Sequence, residues 1–422
     1  MLAKSYLGSI ASAAEPEVSP PASEQANCFV ESGADTVVVA SMAALETAVN
    51  AAPPGRNILV APGTYAGGTR TFNRNGAEAN PIIIRPQNGL GTVTITTPNW
   101  TLADTSSWLV IEKLFYTSGV INLAGDHNRI SRCRFRTITA NAIRMDEGGR
   151  DCRIDHCDFA DANATGIINC LHIRPTNMAS GALRRVLIDY CYFHDLTSAD
   201  ADSAILGSFQ NIAASDLSRG ETATFDHCLF ENINVRPEFQ VIKWGGMIHR
   251  FCTFDGIDGY VQFRAGAHQE LRSCWFENID RVMAWQPDSL VIGNRFIGGV
   301  DCWVPVGNGS FEDQQSGAVP TNRYEPSTNS RFIGNRFGSG HLQIGQYWGN
   351  PFNPPPSLPV ENALLEANTR DSGGNAHEFI TTFVNPPDTG TTINATTDEP
   401  FVPAVKLTAA DVGLNADDPL CP

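Results

Sequence analysis

The chain carries only four lysines, Lys4, Lys113, Lys243 and Lys406, against 25 arginines, so each lysine's setting can be read on its own. Lys243 ends an apolar, strand-like run, Phe239-Gln-Val-Ile-Lys243, and Arg264 follows 21 residues later in Val261-Gln-Phe-Arg264-Ala-Gly266. A lysine beside a guanidinium loses its proton more readily, because like charge disfavours the ammonium form. Such an amine can act as a general base near neutral pH. The alternative is a pair of surface ion pairs, Lys243 and Arg264 with Glu238 and Glu270. Two further triplets, Asp155-His156-Cys157 and Asp226-His227-Cys228, also invite a catalytic reading. They occupy equivalent places in a repeat, so they are expected to express backbone geometry instead. Ser-His-Asp and phosphate-loop signatures are missing.

The elements that must position these residues are short and repeated. One phrase, apolar alternation followed by Cys or Asn, any residue, then Phe, recurs at Cys133, Cys157, Cys191, Cys228, Cys252, Cys274, Asn294 and Asn335. The successive spacings are 24, 34, 37, 24, 22, 20 and 41 residues. A floor near 20 with variable excess marks a solenoid coil of fixed circumference carrying loops of different length. No copy holds the Leu-x-x-Leu-x-Leu of a leucine-rich repeat, and Val, Ile, Phe and Thr dominate, as in short strands. The expected fold is all-β, a single-domain right-handed parallel β-helix of the pectate-lyase-like kind. Phe230 to Phe254 and Phe254 to Phe276 each span one coil, so Lys243 and Arg264 fall at matching positions on adjacent coils. The six ladder cysteines should be stacked, buried, reduced and structural, with Asn294 and Asn335 continuing the ladder. Cys28, Cys152, Cys170, Cys302 and Cys421 remain, an odd number without metal-ligand spacing.

The ends differ from the middle. Residues 1–33 read as a tail: Met1 to Ala13 faintly resembles an export signal, and Ala14 to Asn27 is linker-like. Export would make the protein secreted or periplasmic; a disordered tail is the competing reading. A short helix over about 41–52, with Ser41 as N-cap, should cover the open edge of the first coil. From about 340 the coils should become irregular or wrap the C-terminal edge, still within one domain over 34–422. A formal net charge of −16 argues against a nucleic-acid or anionic-membrane partner. No run of 18 apolar residues is present to span a membrane.

Phe230 to Lys243 resembles the Phe-Glu-x-Cys-Asp-Gly-Glu-x-Glu-Ile-Ile-Ser-x-Lys signature of polysaccharide lyase family 6, the alginate lyases and chondroitinase B. Phe230, Glu231, Glu238 and Lys243 match, and Arg264-Ala-Gly266 falls on the family's Leu-Arg-x-Gly. The likeness extends to Ala61-Pro-Gly-Thr-Tyr65, Asn80-Pro-Ile-Ile-Ile-Arg85 and the tail Leu407-Thr-Ala-Ala-Asp-Val-Gly413. It implies β-elimination on an acidic polysaccharide, alginate or else dermatan or chondroitin sulfate, with Lys243 as base and Arg264 as proton donor or charge stabiliser. A non-catalytic glycan-binding β-helix is the rival from another class. Arg236, Glu238, Gln240, His268, Arg281, Trp285 and Tyr347 form the expected substrate-contacting set. The family's calcium ligands, an Asn and two Glu, are mostly replaced: Arg236 stands at one Glu, and Ala199 to Gly207 lacks both the Asn and a substrate-binding Arg. Glu238 alone is retained, and one carboxylate is too few for calcium. No cofactor is therefore expected.

Overall fold

A computed structural model of the chain describes residues 35–145, 149–164, 169–173, 185–198, 204–207, 223–242, 246–263, 268–284, 287–305, 327–346, 360–379, 388–389, 392–394, 396 and 401–415. Among them fourteen strands form one parallel sheet and twenty form a second. Each coil gives one strand to the first sheet and one or two to the second. Arg129–Ser131 is followed by Arg134–Arg136 and Asn141–Met145, and the chain then returns at Arg153–Asp155 directly against Arg129–Ser131. This is the parallel β-helix that the repeat spacing implies. No helix among the described residues is long and apolar enough to cross a membrane.

The repeated phrase now has a physical meaning at every position. Its Phe residues stack face to face inside the coil, from Tyr116 through Phe135, Phe159, Phe193, Phe230, Phe254, Phe276 and Phe296 to Phe337, with centroids 4.6–5.1 Å apart. Each contact adds roughly 0.5–1.5 kcal/mol beyond simple burial. The residue before each ladder Cys or Asn turns the corner in a left-handed conformation: Arg132, His156, Tyr190, His227, Phe251, Ser273, Gly293 and Gly334 have φ between 49° and 67°. In the Asp-His-Cys triplets the histidine is this corner residue. His156 Nδ1 lies 3.1 Å from Asp155 and His227 Nδ1 2.7 Å from Asp226. Their rings join an external stack, His156–Tyr190–His227–Phe251. The triplets are thus corner geometry, as expected.

All six ladder cysteines are free thiols in the core, as are Cys152, Cys170 and Cys302. Cys191, Cys228, Cys252 and Cys274 donate from Sγ to Ile154, Ile188, Phe225 and His249 carbonyls at 3.4–3.5 Å. Each acceptor lies on the preceding coil, three residues before that coil's own ladder residue. Asn294 and Asn335 reach the equivalent carbonyls, Leu271 and Val291, at 3.0 and 2.8 Å. Asn adds a second bond that a thiol does not make here, accepting from the preceding ladder residue's N–H, as Cys274 donates to Asn294 at 2.8 Å.

At the N-terminal end the helix Met42–Asn50 covers the first coil with Met42, Leu45 and Val49, and Ser41 Oγ accepts from the Ala44 N–H at 3.1 Å. The C-terminal end departs from the reading in two ways. Regular coils continue past 340: Asn368 extends the ladder, and Leu364–Glu366 pairs with Thr392–Asn394. The segment 401–415 then runs back along the corner column instead of wrapping the terminal edge. Phe401 packs on Gly293 and Gly334, Lys406 bridges Asp255 and Glu277 at 2.7 Å each, and the Gly413 N–H reaches the Tyr190 carbonyl at 2.7 Å. Arg132 donates to the Leu414 carbonyl at 3.0 Å.

Candidate active site

The long strands Leu229–Ile242, Thr253–Phe263 and Trp275–Ala284 lie side by side in the second sheet. Their last residues are registered as one row, Ile242 with Phe263 and Phe263 with Ala284. Lys243, Arg264 and Trp285 are the next residues in the chain after these three. All three lie outside the described residues, as does Tyr347.

Upstream of that row the strands are not evenly matched. Asn234 is opposite Asp258, but Glu238 is opposite Tyr260 and Gln240 opposite Val261. The strand Leu229–Ile242 therefore carries three more residues than its partner across this stretch, and Arg236 falls inside the excess. A bulged strand does not keep the two-residue period of a regular one. Gln240 shares a register position with Ile121, Ile143, Leu171, Val261, Val282, Cys302 and Leu342. Those seven are core residues no more than 1% exposed. His268 is exposed in a left-handed turn entering the fourteen-stranded sheet, its N–H donating to the Pro287 carbonyl at 3.2 Å. It lies in a different turn from the row Ile242–Phe263–Ala284.

Arg281 lies in the strand Trp275–Ala284. It is registered between Tyr260 and Asp301, and it alternates with core residue Val282. Its guanidinium lies 3.9 Å from the centroid of the Trp303 ring on the next strand. Asp301 is occupied on its other side, accepting from the His341 N–H at 2.8 Å and from Gln343 Nε2 at 3.2 Å. Trp303 was not among the residues singled out from sequence, because only the register between coils shows that it neighbours Arg281. Among the described residues no group of three or more His, Cys, Asp or Glu side chains is placed to hold a metal ion.

A charged cluster away from this face has a different character. His194 lies 3.0 Å from Asp158 and 2.7 Å from Asp195, and Arg136 donates to Asp158 at 2.7 Å. Burial works against both charges, but these bonds outweigh it: the His194 pKa is raised and that of Asp158 lowered to about 2. Every carboxylate here is engaged by a cation or an amide, which marks a structural network.

Comparison with known proteins follows from this geometry. A sequence model of the chondroitinase B family matches residues 39–297. Among solved structures, a family 6 polysaccharide lyase from Pseudopedobacter saltans superposes with a TM-score of 0.66 at 18% identity, covering 92% of this chain and 100% of that one. A mannuronic acid specific family 6 lyase from human gut microbiota gives 0.64 at 17% identity, covering 84% and 85%. A family 6 alginate lyase in complex with a trisaccharide gives 0.63 at 12% identity, covering 87% and 86%. At these identities the likeness concerns the fold. No curated protein sequence matches the chain.

Proposed function

Because the chain belongs to the chondroitinase B family and is a polysaccharide lyase, we propose that it cleaves alginate by β-elimination, with Lys243 as base and Arg264 opposite it. The observation that carries the reading is the row Ile242–Phe263–Ala284, from which Lys243, Arg264 and Trp285 follow directly in sequence. Adjacent parallel strands are about 4.8 Å apart, which would put an amine and a guanidinium within reach of one sugar unit. Lys243 removes the proton at C5 of the uronate. The C5–H electron pair forms the C4–C5 double bond, and the C4–O4 bond breaks. The departing O4 takes a proton from solvent water, while Arg264 stabilises the negative charge that develops. A guanidinium rarely gives up its own proton, so its main part is electrostatic.

Calcium has no step in this scheme. Neutralising the uronate carboxylate falls to Arg236, whose fork suits a carboxylate and which lies in the bulged stretch beside Glu238. Alginate is favoured over sulfated polymers because relatives of the same fold include alginate lyases and a mannuronic acid specific lyase. The setting proposed is secreted or periplasmic, where such polymers are met.

The test is absorbance of unsaturated uronate on a panel of alginate, pectate, dermatan sulfate and chondroitin sulfate. Alginate should be cleaved, excess chelator should not stop it, and Lys243→Ala or Arg264→Ala should abolish turnover in folded protein. Arg236→Ala should lower kcat substantially. Product from dermatan alone would move the substrate assignment, and binding without product on any uronan would leave the glycan-binding reading.

A further inference from the structure

We propose that Cys133 and Cys157, the first adjacent pair of the cysteine ladder, form an internal two-sulfur site for a soft divalent ion of linear coordination, with Hg(II) as the probe. The site is independent of the lyase reading, because it uses thiols that the proposed reaction leaves idle.

Both side chains are wholly buried free thiols. They hold the same orientation: Cys133 Sγ donates to the Ile111 carbonyl at 3.7 Å and Cys157 Sγ to the Ile130 carbonyl at 3.6 Å. Each acceptor is the equivalent atom on the coil behind. Two equally oriented side chains on neighbouring coils are separated by one coil spacing. That spacing is visible two residues further on, where the Phe135 and Phe159 rings are registered and stack at 4.7 Å. A metal–sulfur bond of about 2.3 Å gives a linear S–metal–S unit a span of about 4.6 Å. An ion midway between the two sulfurs would therefore be bound without moving either coil. Two sulfurs suffice only for a soft ion that accepts two-coordinate geometry, and thiolate is the donor that soft ions select.

A second observation marks this pair. Tyr116, one coil earlier, stacks on Phe135 at 5.1 Å and is 1% exposed, and its hydroxyl has no hydrogen-bond partner among the described residues. Burial raises its pKa well above the ordinary tyrosine value, and the thiols of Cys133 and Cys157 raise it further, so the hydroxyl lies within their influence. A buried O–H without an acceptor is costly, and a metal-bound thiolate sulfur is a better acceptor than a neutral thiol. Binding exchanges an ion for protons: Hg(II) takes an electron pair from each of two sulfurs, and the two S–H protons leave to solvent. No electron is transferred, and the S–Hg–S unit carries no net charge. A neutral unit suits an apolar interior, whereas copper(I) between the same sulfurs would leave a buried negative charge. Entry of a single ion requires only local opening between coils.

Native mass spectrometry after desalting tests the site, with mercuric chloride as the source of Hg(II) and two triple variants that keep equal numbers of thiols. Cys191→Ala/Cys252→Ala/Cys274→Ala retains the pair Cys133–Cys157. Cys157→Ala/Cys228→Ala/Cys274→Ala leaves ladder thiols only on alternate coils, about 9.6 Å apart. The first variant should hold one more ion than the second, that ion replacing two protons, with its thermal midpoint raised on binding. Tyr116→Phe in the first variant should weaken retention, and unchanged retention would remove the hydroxyl from the site. Equal uptake by the two variants, or a midpoint that falls as the extra ion binds, would overturn the proposal. Retention of copper(I) in preference to Hg(II) would overturn the choice of a divalent ion. Should either variant fail to fold, the loaded wild-type chain is denatured and its remaining thiols titrated. Two ladder thiols protected per bound ion would support the site, and one per ion would refute it.

Discussion

His249 lies wholly inside the coil, its ring parallel to Phe225 at 4.9 Å, and burial pushes its pKa down to about 4. In the unfolded chain it titrates near 6.5. Between those values the unfolded state binds a proton that the folded state refuses, so stability falls as pH drops from about 6.5 toward 4. His194 acts in the opposite sense. Its raised pKa adds stability that is present below about 6.5 and is lost as pH rises through the folded value. His249→Phe should therefore raise the thermal midpoint more at pH 5 than at pH 7.5, whereas His194→Gln should lower it more at pH 5. A pH-independent difference in either variant would contradict the assignment. Neither behaviour can be read from residue type alone, because the two histidines differ only in what surrounds them.

At the scale of the element, Cys and Asn are alternative answers to one need: a donor for the carbonyl three residues before the ladder position on the coil behind. Asn335 also serves the coil behind through its Oδ1, which accepts from the Asn294 N–H at 3.1 Å, while its Nδ2 donates to Val291. Asn335→Ala would leave the buried Asn294 N–H without this acceptor, at about 1–3 kcal/mol. The urea midpoint should fall accordingly with an unchanged slope, and an unmoved midpoint would show that the ladder bonds contribute nothing net. The same scale shows what the sequence pattern did not. Simple alternation would carry a two-residue period through the strand Leu229–Ile242, but three extra residues between Asn234 and Gln240 break it. Bulges have no dependable sequence signature, because the extra residues are backbone accommodations to the neighbouring coil.

Over the whole molecule, the segment 401–415 ties distant coils together. From Phe401 on Gly334 to Leu414 at Arg132 it crosses seven coil intervals, about 34 Å at the strand spacing. Thirteen residue steps reach at most about 45 Å when extended, so the segment spans the distance in largely extended form with a turn near Thr408–Asp411. Phe401 also accounts for glycine at the corners it covers, since a methyl group at Gly334 would come within 2.2 Å of its ring. A solenoid whose coils touch only their neighbours opens from its ends; a strap bonded to many coils couples those openings. Truncation after Pro400 should lower the thermal midpoint by several degrees and broaden the transition, with far-ultraviolet circular dichroism nearly unchanged. An identical melting curve would show the strap to be passive.

The repeat spacing by itself determined the β-helix and the inward cysteines, because each coil meets the same local demands and writes the same phrase; the capping helix was legible separately, from Ser41 and the open edge of the first coil. The register of Ile242 with Phe263 and of Phe263 with Ala284 follows the same regularity, because coils of 24, 22 and 20 residues leave little freedom in register. Only the tertiary structure decided the stack of Arg281 on Trp303, the uneven pairing of Leu229–Ile242 with Thr253–Phe263 and the return path of residues 401–415. These depend on which residues of different coils lie side by side. That depends on the summed lengths of every bulge and loop between them, a quantity no local pattern records.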